Sequence, residues 1–273
     1  MSHAGSPQKS VSIPSLQKRK DDREKISMVT CYDAAFGRLV EVSPIDIVLV
    51  GDSLGNVVLG YKSTIPVTLE DMIHHAAAVT RSVFRPLVVG DMPFMTYATI
   101  EDALHHAAAL MQRGGVAAVK LEGGKAICPQ VKALVASGIP VMGHLGLTPQ
   151  SVHALGGYRV QGATDSSAKQ ILDDAKALED AGVFSLVLEM VPQALGKKVS
   201  ESLRIPTIGI GAGPHCDGQV LVLHDLLGFD ESFAPKFLKK YLNLSASIKS
   251  ALAEFDGDVK AGSFPKAENS FGN

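Results

Sequence analysis

Two triplets reading Val-Gly-Asp, at Val50–Asp52 and Val89–Asp91, each close a short apolar run with a carboxylate. A third run ends in Lys120-Leu121-Glu122, and a fourth carries Glu189 at its end. Charged side chains that close apolar runs are costly unless they are paired or put to use. Four acids brought to one place repel one another unless a cation shares the site. Hard carboxylate oxygens favour magnesium there over zinc, which prefers nitrogen and sulfur. A competing account makes these acids caps of neighbouring helices. It covers one or two of them and leaves the repeated triplet unexplained.

Other chemistries compete for the same residues. Gly51-Asp52-Ser53-Leu54 is the opening signature of a large class of serine esterases, which makes Ser53 a candidate nucleophile. Such a serine needs a histidine base oriented by an acid. In that class the pair comes from an Asp-x-x-His stretch near the C-terminus, and no histidine follows His224 here. The match from Asp71 to His74 lies too early and inside a helical pattern. Ser53 therefore reads as a hydroxyl donor to a ligand. Gly209–Gly213 suggests a phosphate cradle, but the spacing is not that of a dinucleotide fingerprint and Pro214-His215 follows. Close backbone packing at a rim is the expectation there. The pairs His74-His75 and His105-His106 sit on helical patterns, where adjacent side chains diverge and cannot grip one ion. One packed and one solvent-facing histidine is expected in each.

These side chains require a frame that ends many buried strands at one rim. From Ile26 onward, apolar runs rich in β-branched residues recur: ISMVTCYD, DIVLVGDS, LVVGDMP, AAVKLEG, PVMGHLG, SLVLEM, PTIGIGAG and QVLVLHD. Such runs read as strands covered on both faces, and helix-like segments lie between most of them. Eight βα units imply a (β/α)₈ barrel with its site at the C-terminal strand ends. Those ends offer Asp33, Asp52-Ser53, Asp91, Lys120 with Glu122, His144, Glu189, Gly211–Gly213 and His224-Asp225. TLEDMIHHAAA at 68–78 repeats as TIEDALHHAAA at 99–109, with Thr68 and Thr99 as helix caps partnered by Asp71 and Asp102. Between Gly213 and Gln219 the chain is too short for a helix, so a turn is expected and a doubly wound sheet remains the alternative. Residues 1–25 read as an N-terminal arm, flexible or surface-bound, and 26–273 as one barrel domain that includes a C-terminal helical segment.

Composition narrows the partners. The 273 residues are 46% apolar with a net charge of −2, which gives no general attraction to nucleic acid or anionic membranes. No apolar run has the length of a membrane span, and the polar start, with mixed charges, does not read as a secretory signal. Cys31, Cys128 and Cys216 are far apart, which suits a reducing, cytoplasmic setting.

Longer blocks are more specific than any of these motifs. TCYD (30–33), VGDSLGNVVLGY (50–61), DMPFMTYAT (91–99), KLEGG (120–124), GHLGLTPQSV (143–152), GGYRVQG (156–162), LVLEMVP (186–192) and DGQVLVLHDLLG (217–228) run in one order. In them the chain resembles the ketopantoate hydroxymethyltransferase family. The resemblance implies a (β/α)₈ barrel that moves a hydroxymethyl group from 5,10-methylenetetrahydrofolate to 3-methyl-2-oxobutanoate through a magnesium-stabilised enolate. It implies that Asp52 and Asp91 bind magnesium, with Glu122 bound directly or through water. Asp52, Ser53, Asp91 and Lys120 would hold the keto acid, Glu189 would be the general base, and His144 would line the site. It also implies a homodecamer. Asn56 and the ENSF stretch at 268–271 depart from the family pattern without touching these residues. The competing readings are a magnesium-dependent lyase or mutase of the phosphoenolpyruvate mutase and isocitrate lyase group, whose KKCGH loop is absent, and a silent barrel, which the intact acids disfavour.

Overall fold

A segment such as Ile47–Val50 has no polar side chain to turn toward water, so its strand must be covered on both faces. In the computed structural model, which describes residues 9–272, eight such strands close into a parallel barrel in chain order. They are β1 (Ile26–Thr30), β2 (Ile47–Val50), β3 (Leu87–Asp91), β4 (Ala118–Glu122), β5 (Val141–Gly146), β6 (Ser185–Glu189), β7 (Thr207–Ile210) and β8 (Gly218–Leu221). Closure excludes the doubly wound sheet, which has two edges.

Helix α1 (Ile13–Asp21) precedes the barrel. After β1 comes α2 (Ala34–Glu41), and after β2 come α3 (Leu54–Val57) and α4 (Leu69–Thr80). The connections after β3, β4, β5 and β6 contain α5 (Ile100–Gly114), α6 (Cys128–Ala136), α7 (Asp165–Ala181) and α8 (Gln193–Ser202). Between β7 and β8 there is only a turn, as the short connection requires. Thr68 and Thr99 open α4 and α5 as capping boxes: each hydroxyl accepts the N–H of the aspartate three residues on, and that carboxylate accepts the threonine N–H. Each cap contributes about 1 kcal/mol. His75 and His106 turn inward, with Nδ1 2.7 Å and 2.6 Å from the carbonyls of Tyr32 and Thr96, while His74 and His105 are exposed. The pairs divide as adjacent helical residues must.

The N-terminal segment differs from a flexible or surface-bound arm. Residues 1–8 lie outside the described residues, but Ser12 caps α1 and Leu16 is buried among Ile26, Ile47, Leu87 and Ala118 at the start of the strands. Val11 and Ile13 pack beside it, so α1 plugs the N-terminal end of the barrel. Ion pairs from Arg19 to Asp46 (2.9 Å) and from Lys20 to Asp217 (2.7 Å) fix the plug. Three apolar residues among many charges gave too weak a periodicity to announce it.

From Leu223 the chain forms a second compact unit, with α9 (Leu223–Leu227) and α10 (Leu244–Ala261). Asn243 caps α10, none of whose residues is buried. His224 and Asp225, read above as strand-end groups, lie in α9 of this unit. Among the described residues no helix is long and apolar enough to cross a membrane.

Candidate active site

In a parallel sheet, directly paired residues project from the same face, and so do residues two apart on one strand. Asp91 pairs with Lys120, Glu122 with His144, and Glu189 with Gly146. Val89, Ala118, Met142 and Val187, each two positions before a polar residue of this set, belong to the inner core of the barrel. Asp91, Lys120, Glu122, His144 and Glu189 therefore all point inward, at the C-terminal ends of β3 to β6. Asp52, just past β2, joins them through its backbone N–H, which donates to Asp91 Oδ2 at 3.1 Å.

The side chains form one connected cluster. Lys120 Nζ lies 2.6 Å from Asp91 Oδ1, although no donor is aligned with that oxygen in a hydrogen bond. His144 bridges two acids, with Nδ1 3.3 Å from Glu122 Oε1 and Nε2 3.3 Å from Glu189 Oε2. Gln150, in a 3₁₀ turn after β5, donates its side-chain N–H groups to Asp52 Oδ2 at 2.8 Å and to the Met92 carbonyl at 3.0 Å. Its backbone N–H donates to Glu122 Oε2 at 3.1 Å. Asp52, Asp91, Lys120, Glu122, His144 and Gln150 are all buried. The Glu189 side chain, 19% exposed, is the acid of the cluster most open to a ligand.

Burial and the neighbouring Asp91 and Glu122 push Asp52 well above the usual carboxylate range. Burial also raises Asp91, and the Lys120 ammonium only partly offsets it. For Glu122 burial acts upward too, but the His144 hydrogen bond and charge, Lys120 and the Gln150 N–H outweigh it and leave it lowered. Burial opposes charge on Lys120, yet the three nearby acids raise it and hold it as an ammonium. Burial and Lys120 likewise oppose charge on His144, and its bonds to Glu122 and Glu189 still raise it to about 9. The two acids thus favour the protonated form of His144, which lies 3.3 Å from each although Nε2 has no aligned hydrogen-bond partner, while Lys120, 3.4 Å from Nδ1, opposes it. Fully ionised, the four acids would outnumber the two cationic groups by two charges, the charge of one divalent cation, and the raised Asp52 and Asp91 reflect that excess. The all-oxygen donor set, the mutual repulsion on Asp52 and the poorly satisfied Asp91 Oδ1 fit a hard divalent ion. Among the described residues no three His, Cys, Asp or Glu side chains stand as a ready ligand set.

A model of the ketopantoate hydroxymethyltransferase family matches residues 10–267. The chain belongs to this family. The 3-methyl-2-oxobutanoate hydroxymethyltransferase of Moorella thermoacetica is 53% identical over 262 residues, covering 96% of this chain and 97% of the relative. Its namesake in Carboxydothermus hydrogenoformans is 54% identical, covering 96% and 95%. Among solved structures, phosphonopyruvate hydrolase in complex with oxalate and Mg++ is similar with a TM-score of 0.61 at 11% identity, covering 95% of this chain and 93% of that one. For 2,3-dimethylmalate lyase the TM-score is 0.59 at 15% identity, covering 95% and 91%. At such identities the likeness is one of fold.

In this ketopantoate hydroxymethyltransferase-family chain, Asp52, Asp91, Lys120, Glu122, His144 and Glu189 come together as a set. Glu189 does not stand apart from the other acids: β5 lies between β4 and β6, and its His144 spans both neighbours. Ser53 lies beside Asp52 with its hydroxyl 2.8 Å from Tyr32 Oη, a phenol and no base for a nucleophile at neutral pH. Asp33 is a helix cap, accepting the N–H groups of Ala35 and Phe36, as the competing account of the acids allowed. Gly213 packs against Gln193, so the glycine stretch serves close packing. Gln150, Tyr97 and Tyr32 were not anticipated. They carry no formal charge and end no apolar run; the only trace of them was their place inside GHLGLTPQSV, DMPFMTYAT and TCYD.

Proposed function

We propose that the chain transfers a hydroxymethyl group from 5,10-methylenetetrahydrofolate to 3-methyl-2-oxobutanoate, with magnesium in the acid cluster, giving 2-dehydropantoate and tetrahydrofolate. The observation that carries this is the excess of carboxylates over cationic groups at the mouth of a barrel matched by the family model from residue 10 to 267. Held by Asp52 and Asp91 with Glu122 beside them, magnesium would supply Lewis-acid polarisation of the keto oxygen.

The chain's own groups do the rest. Lys120, held as an ammonium, balances the negative charge that develops on the keto acid when its C3 proton leaves. Ser53, oriented by Tyr32, donates a hydrogen bond to the substrate. Glu189 takes the proton: His144 holds Oε2 and leaves Oε1 to face C3. Water opens the one-carbon bridge of the folate: both carbon–nitrogen bonds break, the two nitrogens take the protons of the water, and the carbon is released at the formaldehyde level carrying the oxygen of the water. The enolate C3 then forms the carbon–carbon bond to that carbon, and the oxygen takes up the proton that Glu189 removed and becomes the hydroxyl.

The test is keto acid consumption and dehydropantoate formation by purified protein. Turnover should require both magnesium and methylenetetrahydrofolate. Carbon–carbon cleavage of a 2-oxo acid without folate would instead support the lyase reading. Assembly as a cytoplasmic homodecamer belongs to the same proposal; exposed Leu39, Val42 and Phe84 and three buried free cysteines support it, and sedimentation measures the assembly.

A further inference from the structure

Gln150 is a neutral side chain buried among charges, 4% exposed. Every hydrogen-bonding group of its amide is used. Oε1 accepts from Tyr97 Oη at 2.6 Å, and the two N–H groups go to the Met92 carbonyl and to Asp52 Oδ2. Tyr97 Oη also lies 3.2 Å from the Glu122 carbonyl, which ties the phenol to the end of β4. Pro149 starts the turn that brings the Gln150 backbone N–H onto Glu122 Oε2. One residue therefore engages two of the acids, one through its side chain and the other through its backbone.

The consequence lies in which oxygens remain. Two carboxylates this close repel, and each would rotate to separate its charge from the other. A donor fixed on one oxygen removes that freedom at little electrostatic cost, because an amide brings no charge to compete with a cation. Lysine at this position would neutralise Asp52 and a carboxylate would add to the repulsion. Among the described residues, Gln150 is the only hydrogen-bond donor to the Asp52 carboxylate, on Oδ2, and Oδ1 is left uncommitted. Rotation of the amide would set Oε1 against both the Met92 carbonyl and the Asp52 carboxylate. Tyr97, bonded from the far side, holds the amide in place against drift.

We infer that Gln150 is a positioning residue, braced by Tyr97, that fixes the Asp52 carboxylate so that Oδ1 faces the cation position. The inference rests on the proposed cation site, so its test must separate the two. Magnesium binding is measured by calorimetry on the metal-stripped protein, alongside kcat and KM for the keto acid, in wild type, Asp91→Asn, Tyr97→Phe, Gln150→Met and the Tyr97→Phe/Gln150→Met double variant. Losing the brace should weaken magnesium binding by about three- to tenfold in Tyr97→Phe, the scale of one hydrogen bond. Gln150→Met should lose at least as much. The double variant should lose no more than Gln150→Met alone, since Tyr97 acts through Gln150. If Gln150→Met does not fold, Gln150→Asn, which keeps the amide but is one methylene short, replaces it in the cycle. Unchanged magnesium affinity in folded Tyr97→Phe, or losses that simply add, overturns the inference. Unchanged affinity in Asp91→Asn overturns the cation site beneath it.

Discussion

Gly146 ends β5 opposite Glu189 at φ 94°, and the N–H of the next residue, Leu147, donates to the Glu189 carbonyl at 2.8 Å. A methyl group there would overlap the Glu189 carbonyl oxygen and lie 2.9 Å from Val191 Cγ1 and 3.1 Å from the Glu189 carbonyl carbon. Gly146→Ala thus carries two separable costs. The left-handed backbone alone costs about 1–2 kcal/mol for a residue with a Cβ. Relief of the overlap needs a shift of roughly an ångström in the strand end that bears the base, enough to slow proton removal by about a hundredfold. Gly138 is the control: φ is 81° and a Cβ would meet nothing within 4 Å, so Gly138→Ala incurs only the backbone cost. The assay follows exchange of deuterium at C3 of the keto acid with solvent, in parallel with urea melts. Gly146→Ala should lose about 2–4 kcal/mol and nearly all exchange. Gly138→Ala should lose about 1–2 kcal/mol and keep its exchange. Equal stability losses with exchange intact in both would refute the claim that Gly146 sets the position of Glu189.

The base itself is tested by Glu189→Gln, which should bind magnesium and keto acid as wild type does while losing exchange at C3; exchange at the wild-type rate would assign the proton to another group. Ser53→Ala should cost about 1–3 kcal/mol in kcat/KM, the scale of one hydrogen bond to a charged ligand, and an organophosphonate should not label the wild-type serine. Asp225 responds to pH. Burial and Asp230 raise it from 3.8 to about 6, so its ionised form is the one disfavoured in the fold. That penalty is full above about pH 6 and fades as pH falls toward 3.8, where the group is protonated folded or unfolded. Thermal melts of Asp225→Asn should show a stabilised protein at pH 7–8 whose advantage disappears near pH 4; a constant advantage at both would contradict the shift.

The barrel and the charged half of the site were legible for the same reason. A strand buried on both faces must be nearly continuous in apolar residues, so the charge that ends it stands out and marks the rim. Asp52, Asp91, Lys120, Glu122 and Glu189 were visible in this way. What stayed hidden depends on contacts between distant segments. Gln150 and Asp52 are 98 positions apart in the chain, and nothing in either local sequence specifies their bond. The link from Glu189 through His144 to Glu122 follows from strand register, which the runs alone do not fix. Leu16 was masked by the charges around it, although it closes the core.

The same register explains how so many charges are tolerated. Below the rim, Val89, Ala118, Met142 and Val187 fill the barrel and recover burial energy that the polar layer above them does not. In that layer two of the acids meet a cationic group across one strand spacing: Asp91 meets Lys120, and Glu122 meets His144. Buried pairs of this kind contribute little net stability against an apolar substitute, yet removing one partner is costly. The cluster is therefore poor as a stabilising device and effective as a preorganised field. Its acids are held close by their bonds to Lys120, His144 and Gln150, and the two negative charges left over cannot be discharged by any side chain in the cluster. Asp52, which lacks a cationic partner of its own, bears most of that strain and is pushed furthest toward protonation. A divalent ion would relieve it at the oxygen that Gln150 leaves open.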